Sequence, residues 1–119
     1  MAREIGVQAF DFTTQTTGGS GSQPIINTSI GDGRKTVTTA GTREALSTPV
    51  ASRLVTVTAL STNTGVVVVG GSTVIALQAS RRGVPLNAGD SYEFEIDNLS
   101  KVFLDVTISG EGVTFAFFA

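Results

Sequence analysis

Glu93 and Glu95 are the residues whose types and spacing come closest to a catalytic pair. They lie two positions apart in segment 90–97, where alternating apolar and polar residues predict a β-strand. On one face of a strand, their carboxyl groups would be about 6–7 Å apart, which overlaps the separation found in inverting glycosidases. The chain has no Trp and only one Tyr to bind a sugar ring. We therefore interpret the pair as part of a solvated strand face.

Oxygen ligands for a metal ion such as calcium are present at Asp90, Asp97, Asn98 and Asp105. Their spacing is not that of an EF-hand loop, and we interpret them as turn residues. The chain has no His to activate a serine and no Cys to act as a nucleophile or metal ligand. The glycine runs at 18–21 and 70–71 lack the Gly-Lys-Ser/Thr of a phosphate-binding loop. The sequence predicts no enzymatic activity, no metal and no cofactor.

Binding of a protein partner is the function that the remaining residue types favour. Arg81 and Arg82 are adjacent in a predicted loop and can bind carboxylates across an interface, with an ordinary exposed loop as the alternative. Phe117 and Phe118 point to opposite faces of the last predicted strand, so one of them should be exposed or covered by a partner. The predicted partner-contact residues are Ile5, Val7, Phe10, Phe12, Arg81, Arg82 and Phe118.

Composition and charge restrict the class of partner. A net charge of −2 provides no basic surface for nucleic acid. No apolar run is long enough to cross a membrane, and the first residues lack the pattern of a signal peptide. The absence of Cys favours assembly in a reducing cytoplasm. Positions 90–111 contain six carboxylates and a single Lys, so one end or face of the folded domain should be acidic.

The chain divides into two parts by composition. Residues 1–33 combine a short apolar segment with a Gly/Ser/Thr-rich run, which predicts an extended N-terminal arm followed by a linker. Two Phe on one side of an extended segment suggest that the arm orders against a neighbouring subunit. An equally supported alternative is that this apolar segment is simply the first strand of the domain.

Residues 34–119 have the two-residue period of β-strands. Strands are predicted at 36–39, 44–48, 53–60, 66–69, 73–77, 90–97, 102–108 and 113–117, with a loop at 81–89. Tyr92, Phe94, Ile96 and Ile108 are predicted to face the core, and Asp105 to face outward. About eight short strands at this spacing predict an all-β fold, an antiparallel β-sandwich of jelly-roll-like or immunoglobulin-like type.

Several pieces of the chain together resemble small β-rich structural proteins of tailed bacteriophages. These pieces are the segment 55–65 with its Asn63-Thr64-Gly65 turn, the valine strand and Gly70-Gly71 pair after it, the loop 83–91, Asp97-Asn98-Leu99, and the segment 106–115 with Gly110 and Gly112. They span roughly residues 53–118. The first fifty residues carry no part of the resemblance.

The resemblance implies a virion protein, above all a head decoration or cement protein with a jelly-roll-like fold. Such a protein would bind the major capsid protein on the outside of the head, often as a homotrimer, after assembly in the host cytoplasm. A tail, neck or head-fibre component is one alternative. A carbohydrate-binding module is an alternative from another class, although the lack of Trp counts against it.

Overall fold

The computed structural model describes residues 27–119, which form eight β-strands and two short 3-10 helices. The strands are β1 (Ile30–Thr36), β2 (Glu44–Ala45), β3 (Leu54–Ala59), β4 (Val67–Gly70), β5 (Val84–Leu86), β6 (Ser91–Glu95), β7 (Phe103–Val106) and β8 (Gly112–Phe118). The 3-10 helices are Gln78–Ser80 and Leu99–Lys101. No helix in this range has the length and apolar character needed to cross a membrane. The predicted arm residues Ile5, Val7, Phe10 and Phe12 lie outside the described range.

The eight strands form two four-stranded antiparallel sheets. The first sheet has the order β1-β8-β3-β6 and the second has the order β2-β7-β4-β5. Four of the pairings are nested along the chain: β4 with β5, β3 with β6, β2 with β7 and β1 with β8. The chain therefore follows the path of one long hairpin whose paired strands alternate between two sheets. The predicted antiparallel β-sandwich of about eight strands is confirmed.

The main core lies between the two sheets and is formed mostly by valine and leucine. On β3 the alternation is as predicted: Val55, Val57 and Ala59 are buried and the residues between them are half-buried. β4 is apolar on both faces because it lies between β7 and β5 and both of its faces are covered. The buried residues of this core are Val37, Leu46, Val55, Val57, Ala59, Val67, Val69, Leu86, Leu99, Val102, Leu104, Val106 and Val113.

The first strand begins earlier than the sequence predicted. β1 includes residues 30–33, which the sequence analysis assigned to the linker, and it ends at Thr36, where a strand was predicted to begin. The two glycines of this segment leave room for neighbouring aromatic rings. A Cβ atom at Gly31 would lie 2.5 Å from the Phe117 ring, and one at Gly33 would lie 2.5 Å from the Phe115 ring. The sandwich therefore extends at least to Ile30.

Two further segments differ from the prediction. Residues 73–77 form an irregular segment with one isolated bridge, between Ile75 and Arg82, and no strand. The predicted loop 81–89 contains β5, with Pro85 in its centre. Proline lacks the N–H of a ladder, but β5 lies at the edge of the second sheet, where one side of the strand has no partner among the described residues.

The outer face of the second sheet has a small core of its own. Val68, Val74 and Ala76 are buried there, with Val66 and Phe103 packed against them. This layer exists because segment 71–82 folds over the sheet. It explains why Asp105, predicted to face outward, is only 1% exposed although it does lie on the outer face.

Two residues predicted to face the core are exposed. Tyr92 lies on the same side of the first sheet as Phe94, but β6 is an edge strand and Tyr92 is 44% exposed. Its ring packs edge-on against Phe94 with ring centroids 5.0 Å apart. Ile108 lies beyond the end of β7 and is 42% exposed. The two-residue period gives the correct side of the sheet for Tyr92, but it does not indicate how far the opposite sheet extends.

Candidate interaction surface

The outer face of the first sheet carries an exposed row of apolar side chains, here called the apolar row. The register places Ile30 opposite Phe118 on one side and Leu54 opposite Phe118 on the other. Ile30 is 71% exposed and Phe118 is 37% exposed, whereas Leu54 is half-buried. Phe117 packs against the core, so the predicted contact residue Phe118 is the exposed member of the pair.

Two polar rows continue this outer face. In order from β1 to β6, the first row is Asp32, Ala116, Thr56 and Glu93. The second row is Arg34, Thr114, Thr58 and Ser91. The hydroxyl groups of Thr58 and Ser91 are 2.7 Å apart, and the Thr56 hydroxyl donates to Glu93 Oε2 at 3.4 Å. Most of these side chains are short, so the face has few features that could enclose a small ligand.

A depression of about 430 Å³ adjoins the apolar row. Its lining residues are Asn27, Ser52, Arg53, Leu54, Glu95, Ile96 and Asp97. The Ser52 hydroxyl is engaged, because it donates to the Ile96 carbonyl oxygen at 2.6 Å. The backbone N–H of Thr28 donates to the carbonyl oxygen of Ala119 at 2.7 Å, which fixes the chain beside the end of β8. The described part of the chain thus begins next to the apolar row.

The predicted arginine pair is divided between two environments. Arg81 donates from Nε and Nη2 to the Ala76 carbonyl oxygen, at 3.1 and 2.8 Å, and so stabilises its own loop. Arg82 is exposed, and its backbone forms the bridge to Ile75. Only Arg82 has its side chain turned to solvent, and its contact with a partner stays a prediction.

The acidic residues considered as catalytic or metal-binding groups have structural contacts. Glu93 and Glu95 are both exposed. Asp90 Oδ2 accepts the N–H of Asn87 at 3.0 Å, and Asn98 Oδ1 accepts the N–H of Ser100 at 3.0 Å. Across residues 27–119 there is no cluster of three or more His, Cys, Asp or Glu side chains placed to hold a metal ion. These hydrogen bonds are those expected of turn residues.

Comparison with protein-family models, with curated proteins and with solved structures found no match. The resemblance to phage structural proteins therefore rests on the sequence segments quoted above.

Two ionised side chains, Glu44 and Glu111, join distant parts of the sandwich, and a third, Asp97, forms a local ion pair. A hydrogen bond from Lys35 and the backbone N–H of Thr38 lower the pKa of Glu44, and the Lys35–Glu44 ion pair of 2.8 Å joins the two sheets. The backbone N–H of Thr64 lowers the pKa of Glu111, followed in effect by that of Gly65. A hydrogen bond from Lys101 lowers the pKa of Asp97. The lowered pKa values mean that these contacts favour the ionised form of each carboxyl group.

Asp105, which the sequence analysis considered as a metal ligand and interpreted as a turn residue, is buried and has a structural role instead. Its two carboxylate oxygens accept the backbone N–H groups of Gly41 and Ala76, each at 2.9 Å. Its Oδ1 atom also accepts the N–H of Val106 at 2.9 Å. These donors belong to three separate segments, so Asp105 positions the loops of the second sheet. An acidic residue between Leu104 and Val106 in an apolar strand was the available signal.

Proposed function

We propose that this chain is a structural protein of a tailed-phage virion that binds the exterior of the capsid and stabilises the shell. The observation that carries the proposal is the apolar row. Ile30 and Phe118 expose large apolar side chains on an outer sheet face, and such surfaces commonly mark protein interaction sites. The depression beside the row is open rather than enclosed, which suits a protein partner better than a small substrate that requires an enclosing pocket.

The nested strand pairing also supports the proposal. Pairing of β1 with β8, β2 with β7, β3 with β6 and β4 with β5 is the order expected for a jelly roll, a fold used by viral capsid proteins. We propose that the sandwich is a jelly roll on this basis. Fold alone does not establish function, and the interaction face carries the functional argument.

The proposed mechanism is stabilisation by mass action. A protein that binds only the assembled shell shifts the equilibrium between assembled and dissociated capsid toward assembly. The apolar row and the arm residues Ile5, Val7, Phe10 and Phe12 would bury apolar surface on the major capsid protein or on a neighbouring copy. The homotrimer that the resemblance implies stays a prediction, which the mass of the protein in solution will test.

Binding to empty heads of the parent phage tests the proposal. We expect the intact chain to co-sediment with the heads and to raise the temperature at which the empty shells come apart. Deleting residues 1–14 should abolish binding and leave the sandwich folded. Phe118→Ser should weaken binding through the apolar row, and Tyr92→Ser, which changes an exposed aromatic residue elsewhere on the domain, is the matched control.

The results also separate the alternatives. If the intact chain does not bind heads, the capsid proposal is wrong. If the protein lacking residues 1–14 still fills its binding sites on the heads, the arm is not required for binding. A few copies per virion would indicate a tail, neck or head-fibre component, because a cement protein is present in many copies. Binding to polysaccharide without binding to heads would support the carbohydrate-binding alternative.

A further inference from the structure

The outer edge of β1 has no partner strand among the described residues, and the register shows which of its backbone groups point outward. Ser29 and Ala119 exchange backbone hydrogen bonds of 3.1 and 3.0 Å, and Val37 N–H donates to Glu111 O at 2.9 Å. In an antiparallel ladder the residues that bond to one neighbour alternate with those directed away from it. The backbone N–H and C=O groups of Ile30, Asp32, Arg34 and Thr36 therefore point away from β8. No other described strand lies on that side.

The other three sheet edges within residues 27–119 are protected against strand addition. β5 has Pro85 in its centre. β6 carries Glu93 and Glu95 on its outer face, which would repel the same carboxylates of a second copy. β2 is only two residues long. β1 is seven residues long, without proline, and its outward side chains include one acidic and one basic residue. An edge of this length that no described strand covers is a template for another strand.

The charges on β1 select one register for pairing with an identical strand. Two copies of β1 in antiparallel alignment about a two-fold axis at Gly33 place Asp32 opposite the partner subunit's Arg34, and Arg34 opposite the partner subunit's Asp32. Moving the axis to Asp32 or to Arg34 would place identical charges opposite each other. The register centred on Gly33 also aligns Ile30 with the partner subunit's Thr36. All four residues with outward-directed backbone groups then lie opposite one another, and each N–H group meets a C=O group.

We propose that the β1 edge is a self-association surface, and that two copies of this chain pair β1 to β1 in the register centred on Gly33. The two first sheets then form one continuous eight-stranded sheet. The Phe115 and Phe117 rings lie over Gly33 and Gly31 and are only half-buried in one copy, so the neighbouring strand would cover more of them. Asp32 and Arg34 are both exposed and form no ion pair with another described residue.

This contact is isologous, since the same strand contributes both sides, and it closes as a dimer. It differs from the three-fold association implied by the resemblance to phage proteins. It also does not depend on the proposed capsid role, because β1 pairing would occur in the purified chain. Failure to bind heads would leave the dimer proposal standing, and a monomeric protein that binds heads would overturn the dimer proposal alone.

Charge reversal in the intact chain tests the register. Light scattering of the wild-type chain should give a mass of twice 12.2 kDa at high concentration. Asp32→Arg and Arg34→Asp should each raise the dimer dissociation constant about tenfold or more, because each creates like-charge pairs on both sides of the axis. The double variant D32R/R34D restores opposite charges in this register only, and we expect its dissociation constant to return to within about threefold of wild type. Circular dichroism confirms that all variants are folded.

Amide hydrogen exchange shows whether a second copy or a segment of the same chain covers the outer edge of β1. The N–H groups of Ile30, Asp32, Arg34 and Thr36 should be protected in concentrated protein and exchange rapidly on dilution. Gly31 and Gly33 N–H groups, which face β8, are the internal control and should stay protected at both concentrations. Protection independent of concentration would assign the edge to a segment of the same chain and overturn the proposal. A trimer, a monomer at every concentration, or a double variant that fails to dimerise would also overturn it.

Discussion

At the scale of single residues, Asp105 is the most deeply buried polar residue in the described part of the chain. It is 1% exposed and lies where three segments of the second sheet meet. Burying a carboxyl group carries a large desolvation cost unless it is hydrogen-bonded, and here three backbone N–H groups supply those bonds. Asp105 is therefore the residue whose loss should most affect the loops around Gly41 and Ala76.

We predict that Asp105→Ala lowers the free energy of unfolding by about 3 kcal/mol, because it leaves buried N–H groups without acceptors. Asp90→Asn changes an exposed turn residue and should cost less than about 0.5 kcal/mol. Urea unfolding measures both effects. Hydrogen exchange at the Ala76 amide should accelerate in the Asp105 variant more than exchange at amides of β3. If Asp105→Ala costs no more than the control, the carboxylate does not hold these loops.

At the scale of elements, the sequence predicted strands well where the burial pattern is local. β3 and β8 alternate, and β4 is apolar on both faces, so each could be located from its own residues. The errors at β1, β5 and segment 73–77 have a common cause. Aromatic rings from β8 cover the glycines of β1, an edge position accommodates Pro85, and segment 71–82 covers a sheet face. Each depends on residues far away in the chain.

The interaction surface was predictable to a similar extent. The alternation of β8 indicated that either Phe117 or Phe118 would be exposed, and Phe118 is. Ile30 was not predicted as its neighbour, because the register of β1 against β8 cannot be read from either strand alone. The contact between Arg81 and the Ala76 carbonyl oxygen was also not predictable, since it depends on the path of the loop between them.

At the scale of elements, the prediction concerns a substitution of a glycine in β1. A Cβ atom at Gly33 would contact the Phe115 ring, so Gly33→Ala should destabilise the sandwich by about 1–3 kcal/mol through overpacking. Gly71→Ala is the matched control because a Cβ there has no neighbour within 4 Å. Thermal unfolding at low protein concentration measures both. If the Phe115 ring is the cause, the cost of Gly33→Ala should be smaller in a Phe115→Leu background.

At the scale of the whole molecule, the nested pairing makes the two ends of the described chain interdependent. Ile30 pairs with Phe118, and the Lys35–Glu44 ion pair joins an edge strand of the first sheet to an edge strand of the second. Most stabilising pairs therefore connect residues far apart in sequence. Folding should be cooperative. It should also be slow in comparison with that of a helical protein of this size, because long loops must close before the contacts that stabilise the fold can form.

The last prediction compares deletions at the two ends of the chain. β8 lies between β1 and β3 in the first sheet, so deleting residues 114–119 removes partners from both strands and should abolish the folded state. Deleting residues 1–26 leaves every described strand in place, and we expect a folded protein with an unchanged unfolding temperature. Far-UV circular dichroism and dispersed amide NMR signals distinguish the outcomes. If the protein lacking residues 1–26 is unfolded, the N-terminal segment contributes to the stability of the sandwich, and its role is not confined to binding a partner.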